Sequence, residues 1–276
     1  MKGFIWIFAL LLTLAAAFYQ RQTGPTLPVT TSINTGIQKF PVELPRSFAG
    51  KADCPIVLRI SDITVKGFLS YRKYPTKDSM TKVTLVRQGD QLVAKLPNQP
   101  PAGKIEYKVE LEKDGTSLVI DPETPIVIRF RGEVPATVLI PHIILMFLAM
   151  FFSNVTGIYA IFRIRHYRYL ALVTFAILFV GGMVFGPIVQ KYAFHEWWAG
   201  VPYGWDLTDN KTLIAVLAWL LVVVMIRKRS AAYWIILASL ITIAIFTIPH
   251  SLYGSQLNQE TGKIIQGIIP SYLQLL

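Results

Sequence analysis

The stretch Val138–Phe162 reads VLIPHIILMFLAMFFSNVTGIYAIF and contains no aspartate, glutamate, lysine or arginine. A helix needs roughly 20 predominantly apolar residues to cross the hydrocarbon core of a bilayer. This stretch exceeds that length, so it predicts a membrane-spanning helix and places the start of a membrane domain near Val134. The composition agrees, because 53% of the 276 residues are hydrophobic and the mean hydropathy is +0.47.

Further apolar runs follow this span, at Tyr169–Val189, Leu213–Ile226 and Ala231–Ile248. The run Leu213–Ile226 is shorter than a span needs. Its helix is therefore predicted to begin earlier, near Thr208, with Thr208 or Asp209 as the capping residue. The four spans together predict a helical membrane domain over residues 135–254, followed by a C-terminal tail over residues 255–276.

The N-terminal residues 1–20 carry Lys2 and then the apolar run Phe4–Phe18. This pattern is typical of a signal peptide or of a signal anchor helix, and the alanines at 15–17 would suit a cleavage site. Both alternatives remain open. In either case the residues that follow are expected outside the cytoplasm.

The positive charge predicts the same orientation. Six of the 27 lysines and arginines lie in two short clusters between apolar runs, namely Arg163, Arg165, Arg168, Arg227, Lys228 and Arg229. Such clusters hold the loops between helices on the cytoplasmic side. The net charge of +11 is therefore explained by membrane orientation, and nucleic acid is not expected as a partner. The chain is predicted to be a multi-pass protein of the cytoplasmic (inner) membrane.

Residues 36–134 have a different pattern, in which short alternating runs are separated by turn signals such as Gly89-Asp90 and Asp114-Gly115. The predicted strands are 56–60, 65–71, 82–87, 91–96, 105–111, 117–120 and 126–130. They indicate an extracytoplasmic, all-β sandwich of the immunoglobulin-like or fibronectin-like kind, in which Tyr107 makes the corner hydrogen bond or is an ordinary buried strand tyrosine. The sandwich contains no histidine, and we interpret it as a docking module. Cys54 is the only cysteine, so no intramolecular disulfide or Cys-x-x-Cys-His haem attachment is possible.

Three of the four histidines are predicted to lie on the outer side of the membrane. His142 is near the outer end of the first span of the membrane domain, and His250 follows the outer end of the last span. His195 is in the loop between the second and third spans. His166, by contrast, belongs to a cytoplasmic basic loop.

The outer loop Tyr192–Lys211 contains Trp197, Trp198 and Trp205. Tryptophan and tyrosine favour the lipid headgroup region, so an interfacial belt is one interpretation. The loop also contains Gly, Pro and acidic residues between its aromatic residues, which favours an ordered platform for a flat apolar ligand. Two histidines at the same membrane depth could supply the axial nitrogens of an iron porphyrin.

From about Thr137 to Gly254 the chain resembles the core of the haem-handling cytochrome c assembly proteins, whose external loop carries a tryptophan-rich "WWD" motif. Gly200, Trp205 and Asp206 fall at the family's spacing, and Tyr203 replaces a tryptophan. His250–Gly254 is similar to the family's His-Ser-Tyr-Gly segment, and Pro141–Met146 to the opening of its first core helix. The chain departs from the family at Leu207–Thr212, which replaces a Pro-x-Glu-Thr-Trp stretch, and Trp197-Trp198 are one residue out of register.

This resemblance implies haem as the cofactor, with His142 and His250 as axial ligands. It implies that the residues in contact with haem are Trp197, Trp198, Gly200, Tyr203, Trp205, Asp206 and Lys211. It further implies a c-type cytochrome or another membrane assembly subunit as partner, besides the lipid bilayer. Such a protein binds or presents haem, and conventional catalytic turnover is not expected.

Other interpretations of these residues remain open. The side chains of His142, His195, His250, Glu196 and Asp206 could form a zinc or copper site without porphyrin. The outer loop and the β-domain could instead dock a partner protein, as in a structural or accessory membrane subunit. Asp206 could cap the helix that follows it. Lys211 could extend to the membrane interface, or meet either a haem propionate or Asp206.

Overall fold

The computed structural model describes residues 2–35, 38–118, 120, 125–250, 252 and 254–266. The chain divides into two compact units. The helical unit comprises residues 1–25, 134–255 and the chain from Gln266 onward. The β unit comprises residues 26–133 and 256–265. Gly36, Ile37, Ser251 and Tyr253, which fall within predicted segments, lie outside the described residues, as do 119, 121–124 and 267–276.

The helices of the helical unit are α1 Lys2–Gln22, α2 Ala136–Ile161, α3 Tyr167–Phe179, α4 Gly186–Phe194, α5 Leu207–Met225 and α6 Ala231–Thr247. A π-helical segment, Val180–Phe185, joins α3 to α4, so that Tyr167–Phe194 is one continuous helix. Four helices are long and apolar enough to cross a membrane: α1, α2, this continuous helix and α5. The chain is thus a multi-pass membrane protein by helix length and composition. The predicted span at Ala231–Ile248 is an apolar helix of 17 residues, shorter than the others.

Helix α1 packs into the helical unit through buried polar contacts as well as apolar ones. Trp6 Nε1 donates a hydrogen bond of 2.9 Å to the Tyr159 hydroxyl. Deeper in the unit, Asn154 Nδ2 donates a bond of 3.0 Å to the Thr13 hydroxyl. Interhelical hydrogen bonds of this kind associate helices that have no hydrophobic driving force in lipid. An anchor helix is expected to pack in this way, whereas cleavage of α1 would remove both bonds.

The π-helical segment packs closely against α2. Its glycines Gly181 and Gly182 are buried, and a Cβ atom on Gly181 would lie only 2.9 Å from Leu145 Cβ on α2. The glycine therefore permits the close approach of the two helices. Gly186 N–H donates to the Gly181 carbonyl, a wider i→i+5 turn than that of an α-helix. Such widened turns occur frequently at functional sites.

The β unit contains β1 Val29–Asn34, β2 Lys39–Leu44, β3 Ser47–Ala49, β4 Cys54–Arg59, β5 Val65–Tyr74, β6 Thr81–Thr84, β7 Val86–Gln88, β8 Gln91–Leu96, β9 Lys104–Lys113, β10 Thr116–Leu118, β11 Ile126–Arg131, β12 Gln256–Leu257 and β13 Ile264–Ile265. The larger sheet has the order β3-β11-β9-β5-β6, with β10 on β9, and a second sheet has the order β4-β8-β7. Strands β1 and β2 pair with each other, as do β12 and β13. Neighbouring strands are antiparallel except for the parallel pair β3 and β11.

Alternating apolar residues build one shared core between these sheets. Along β9 every second residue from Ile105 to Leu111 is buried, as a period of two places those side chains on one face. Tyr107 is fully buried there and donates a bond of 2.9 Å to the Pro45 carbonyl, 62 residues upstream. A corner tyrosine bonds the backbone only a few residues upstream. The predicted corner bond is therefore wrong, and Tyr107 is a buried strand tyrosine.

Residues after the membrane helices return to the β unit, although the sequence predicted a separate tail from residue 255. Leu257 N–H donates to the Ala102 carbonyl at 3.0 Å, and Lys104 Nζ donates to Gln256 Oε1 at 2.8 Å. Burial lowers the pKa of Lys104 to about 8, with a further contribution from Arg129. The strands β12 and β13 thus belong to the same folded unit as the sandwich core.

The first strands of the β unit contribute to its core and were not predicted from the sequence. Ile33 on β1 is fully buried in the core cluster, whereas Ile63 is 80% exposed. In a fragment spanning Thr26–Glu133, Ile33→Ala is therefore expected to lower the free energy of unfolding by about 2–5 kcal/mol. The matched change Ile63→Ala should alter it by less than about 0.5 kcal/mol. Chemical denaturation followed by circular dichroism measures both. Equal effects would contradict the placement of β1.

Candidate functional site

A cavity of about 240 Å³ lies among the helices at one end of the helical unit. Both His142 and His250 line it, although they are far apart in the chain. Its remaining lining comes from α1, α2, the continuous helix, α5 and α6, and consists of Ala17, Gln20, Ile143, Met146, Phe147, Met150, Gly182, Gly186, Val189, Gln190, Thr208, Asp209, Thr212 and Phe246. The predicted pair of outer histidines is thus brought to a single cavity.

The His142 side chain is held in one orientation by the π-helical segment. His142 Nδ1 lies 2.9 Å from the Gly181 carbonyl oxygen. A carbonyl only accepts hydrogen bonds, so Nδ1 must carry the proton. The lone pair of a neutral ring is then on Nε2, which has no hydrogen-bond partner among the described residues. This arrangement, in which a backbone carbonyl fixes the tautomer of a histidine, is the one that prepares Nε2 to bind a metal.

His250 follows the end of α6 and contacts α1. Gln20 Nε2 lies 3.3 Å from His250 Nε2 and 3.5 Å from the Ile248 carbonyl. Since an amide nitrogen donates, His250 Nε2 is the acceptor in this pair. The residue reaches solvent, yet protein atoms crowd its ring. This desolvation, together with the nearby Lys211 and His142, lowers the pKa of His250 to about 4, so the ring is neutral at physiological pH.

Asp206 caps α5. Its Oδ1 accepts bonds from the N–H groups of Thr208 at 2.9 Å and Asp209 at 3.4 Å, which are the orphan donors of the first helical turn. Its Oδ2 accepts a bond of 3.3 Å from the Ser255 hydroxyl. The predicted cap at Thr208 or Asp209 is therefore wrong by position, and the alternative role proposed for Asp206 is confirmed.

The tryptophan-rich loop is tied to α5 by side chains that accept from its backbone. Asp209 Oδ2 accepts from Ala199 N–H at 2.6 Å, and Asn210 Oδ1 accepts from Val201 N–H at 2.8 Å. A Cβ atom on Gly200 would lie 2.8 Å from Asn210 Oδ1 and 2.9 Å from Asp209 Cβ, so only glycine fits there. Gly200, Asp209 and Asn210 thus order the loop.

The loop aromatics do not line the cavity of the two histidines. Trp197, Tyr203 and Trp205 are 58%, 80% and 73% exposed. Trp198 is half-buried and donates through Nε1 to the Val201 carbonyl at 3.1 Å. The loop aromatics are thus exposed or half-buried side chains on an ordered loop, and none of them lines the cavity, so the platform for a flat ligand stays a prediction.

Lys211 was predicted to meet a propionate or Asp206, or to extend to the membrane interface. Its side chain is 2% exposed, and Nζ donates a bond of 2.7 Å to the Ile248 carbonyl at the end of α6. A cation at this carbonyl complements the negative end of the helix dipole. Lys211 thus connects α5 to the segment that carries His250, and it is not exposed at the interface.

The structure also places the other candidate residues. His195 is exposed at the end of α4, where its carbonyl accepts from Lys191 Nζ at 2.9 Å. Glu196 accepts from Gln266 Nε2 at 2.6 Å. Neither residue lines the cavity. Among the described residues, no group of three or more histidine, cysteine, aspartate or glutamate side chains is placed to hold a metal ion. The five-residue metal site considered from the sequence is not assembled.

Comparison with known proteins gives no match, either to a protein-family model or to a curated protein.

Sequence reasoning missed several cavity residues that are not histidines. Gln20 belongs to a segment that was interpreted as a signal peptide or anchor, and Gln190 directly follows the predicted second span, Tyr169–Val189. Gln190 Nε2 is buried without a hydrogen-bond partner in the described part of the chain. The sequence could have indicated these residues, because both are polar side chains at the ends of apolar helices. Uncharged amides within membrane segments usually have a hydrogen-bond partner or a ligand.

Proposed function

We propose that the protein binds haem at one face of the membrane, with His142 and His250 as the axial ligands. The observation that carries this proposal is that both histidines line one cavity while His142 Nδ1 is held by the Gly181 carbonyl. Axial histidine nitrogens are a common way of holding haem iron. The resemblance of Gly200, Trp205, Asp206 and the His250 segment to the cytochrome c assembly proteins is a second, independent support.

The residues of the cavity fit haem in their chemistry. Two imidazoles line the cavity together with apolar side chains that include Met146, Phe147 and Phe246. The volume of about 240 Å³ is smaller than the roughly 300–1,000 Å³ of pockets that enclose small ligands. The cavity would therefore enclose only part of a porphyrin. Gln20 would have to release His250 Nε2 before that nitrogen could bind iron.

The role of the protein in this proposal is to hold and present haem. Bound haem would supply a redox-active iron. His142 and His250 would bind and orient it, and the Gly181 carbonyl would fix the tautomer of His142. An absorption spectrum of the detergent-purified full chain, with and without added haem, tests the proposal. A Soret band is expected, and its absence under both conditions would reject haem as the ligand.

A docking role is a second candidate, favoured by the exposed Trp197, Tyr203 and Trp205 on an ordered loop. Exposed tryptophan and tyrosine commonly anchor protein partners, here a c-type cytochrome or another membrane subunit. The double change Tyr203→Ala and Trp205→Ala separates the two roles. If these residues only dock a partner, the Soret band is unchanged; if they help to hold haem, the band is weakened.

We further propose that the β unit, the tryptophan-rich loop and residues 254–266 lie outside the cytoplasmic (inner) membrane. The two clusters of arginine and lysine are at the opposite end of the helical unit from the cavity, as the positive-inside rule requires. For the β unit we retain the immunoglobulin-like description as a proposal. Two antiparallel sheets around one core support it, whereas the parallel pair β3–β11 and the additional pair β1–β2 depart from that fold.

Cysteine labelling tests this orientation. Tyr203→Cys introduces a thiol at a position that is 80% exposed, whereas the buried Ala199 would be a poor choice. Ser230→Cys introduces an exposed thiol at the basic end. In intact cells an impermeant maleimide is expected to label position 203, and to label position 230 only after lysis.

Cys54 is an internal control for the labelling experiment. It is fully buried, and burial raises the pKa of its thiol to about 11, so the reactive thiolate is scarce. No labelling of the unchanged chain is expected while it is folded. Labelling of position 230 but not 203 in intact cells would invert the proposed orientation.

A further inference from the structure

The two basic loops meet at the end of the helical unit opposite the cavity. Arg168 Nη2, in the first turn of α3, donates a hydrogen bond of 3.3 Å to the Lys228 carbonyl, which brings the start of α3 against the loop before α6. All six cations of these loops, Arg163, Arg165, Arg168, Arg227, Lys228 and Arg229, are exposed. We call this set of six side chains the basic patch.

The charge of the basic patch is not neutralised by the described part of the chain. The ion pairs of that part all lie in the β unit. In the helical unit the sequence has carboxylates only at Glu196, Asp206 and Asp209, and these are in the loop and the first turn of α5 at the other end. The patch is therefore a concentration of positive charge that faces solvent or lipid headgroups.

Two helix N-termini lie at the basic patch. Helix α3 begins after His166 and helix α6 begins after Ser230, and neither cap residue makes a side-chain hydrogen bond to the first turn. Tyr167 N–H and Ala231 N–H donate to loop carbonyls at 3.3 and 3.2 Å, and other N–H groups of the two first turns are directed toward the patch. The C-terminal ends of α2 and α5 lie there as well, so the helix dipoles largely offset one another. Helix N-termini of this kind bind phosphate groups.

Exposed aromatic residues surround the patch. Phe162, Tyr169 and Tyr233 are 66%, 65% and 62% exposed, and they flank the two loops in the sequence. Aromatic rings next to lysine and arginine at the ends of apolar helices are typical of the membrane–water interface. This surrounding favours a phosphate that belongs to a lipid over a phosphate in free solution.

We infer that the basic patch is a binding site for the phosphate headgroup of an anionic phospholipid. The patch joins six exposed cations at one place, which suits a phosphodiester with a net negative charge. Clusters of lysine and arginine next to membrane helices recognise anionic lipids in this way. The inference is independent of the haem proposal, because the two sites are at opposite ends of the helical unit.

Native mass spectrometry of the full chain in neutral detergent tests the inference. Phosphatidylglycerol, added at increasing concentration, is expected to bind at least about tenfold more tightly than phosphatidylcholine, and added salt should reduce the difference. The double change Arg227→Gln and Arg229→Gln should weaken phosphatidylglycerol binding by about 25-fold, at about fivefold for each charge removed. Neither side chain makes a hydrogen bond in the described part of the chain, so the fold is expected to persist.

A matched control removes the same charge at the opposite end. Arg21 and Lys191 are exposed and lie beside the cavity residues Gln20 and Gln190, so Arg21→Gln with Lys191→Gln should leave lipid binding within about twofold of the unchanged chain. Equal losses in both double variants, or equal binding of the two lipids to the unchanged chain, would overturn the inference. Displacement of phosphatidylglycerol by pyrophosphate at an equal concentration would assign the patch to free phosphates and would also overturn it. In cells, removal of these charges could also change the orientation of the chain in the membrane. Measurement in detergent avoids this effect, so the result reports lipid binding alone.

Discussion

Replacement of either His142 or His250 by alanine is expected to remove most of the haem from the purified protein. Both side chains line the same cavity, and each would supply one of the two axial nitrogens. Removal of a residue that hydrogen-bonds to a metal ligand lowers the affinity for the metal by about 10- to 100-fold. Removal of the ligand itself should therefore lower the affinity for haem even more. The ratio of the Soret absorbance to the protein absorbance measures the effect directly.

Two other histidines provide matched controls for this prediction. His166 lies in a basic loop at the other end of the helical unit, and His195 is exposed and outside the cavity lining. His166→Ala and His195→Ala should therefore leave the Soret band unchanged. A loss with His195→Ala that equals the loss with His250→Ala would move the ligand to the tryptophan-rich loop and contradict the site described above.

The second large effect is expected from Gly181→Val. A Cβ atom at this position would be 2.9 Å from Leu145 Cβ and 3.2 Å from Met146 Sδ, so α2 and the π-helical segment would have to separate. That separation would break the 2.9 Å bond between His142 Nδ1 and the Gly181 carbonyl. Haem affinity should fall by about 10- to 100-fold, as when a histidine ligand loses its orienting partner. A haem titration of the purified variant measures the change.

A neighbouring glycine distinguishes this effect from a general loss of stability. Gly186 also lines the cavity, but a Cβ atom there would meet its nearest neighbours at 3.8–3.9 Å, an ordinary contact distance. Gly186→Ala is therefore expected to bind haem within about threefold of the unchanged chain, a normal spread for a tolerated substitution. If the two variants bind haem equally well, the Gly181 carbonyl does not position His142.

The sequence predicted the membrane helices well because a charge-free apolar run has few alternatives to a span. Helix α2 was predicted as Val138–Phe162 and is observed as Ala136–Ile161. The early start of α5 was predicted from length alone, but its cap was assigned to Thr208 or Asp209 instead of Asp206. Cap positions depend on the local path of the backbone, which a hydropathy pattern does not contain.

Two features could not be predicted because they depend on tertiary contacts. The π-helical segment exists where Gly181 lets α2 approach closely, and nothing in the periodicity of Tyr169–Val189 indicates it. The paired strands β1 and β2 lie in a stretch rich in threonine and proline, which resembles a linker until Ile33 is seen in the core. In both cases a distant part of the chain determines the local structure.

The sequence predicted only part of the candidate site, because the rest of the site also depends on tertiary contacts. Topology alone brings His142 and His250 to one side of the membrane, and the structure places them around one cavity. The direction of loop side chains is a matter of local hydrogen bonding. Asp209 and Asn210 accept from the loop backbone, and Trp205 is exposed and outside the lining of the histidine cavity, so the contact of the loop with haem stays a prediction.

The spin state of the ferric protein after haem addition tests the central claim most directly. Low-temperature electron paramagnetic resonance should show a six-coordinate, low-spin iron with two imidazole ligands in the unchanged chain. It should show a high-spin iron in any haem that His142→Ala or His250→Ala retains. The claim is contradicted if the unchanged chain binds no haem, or if the double histidine variant binds added haem equally well with the same low-spin signal.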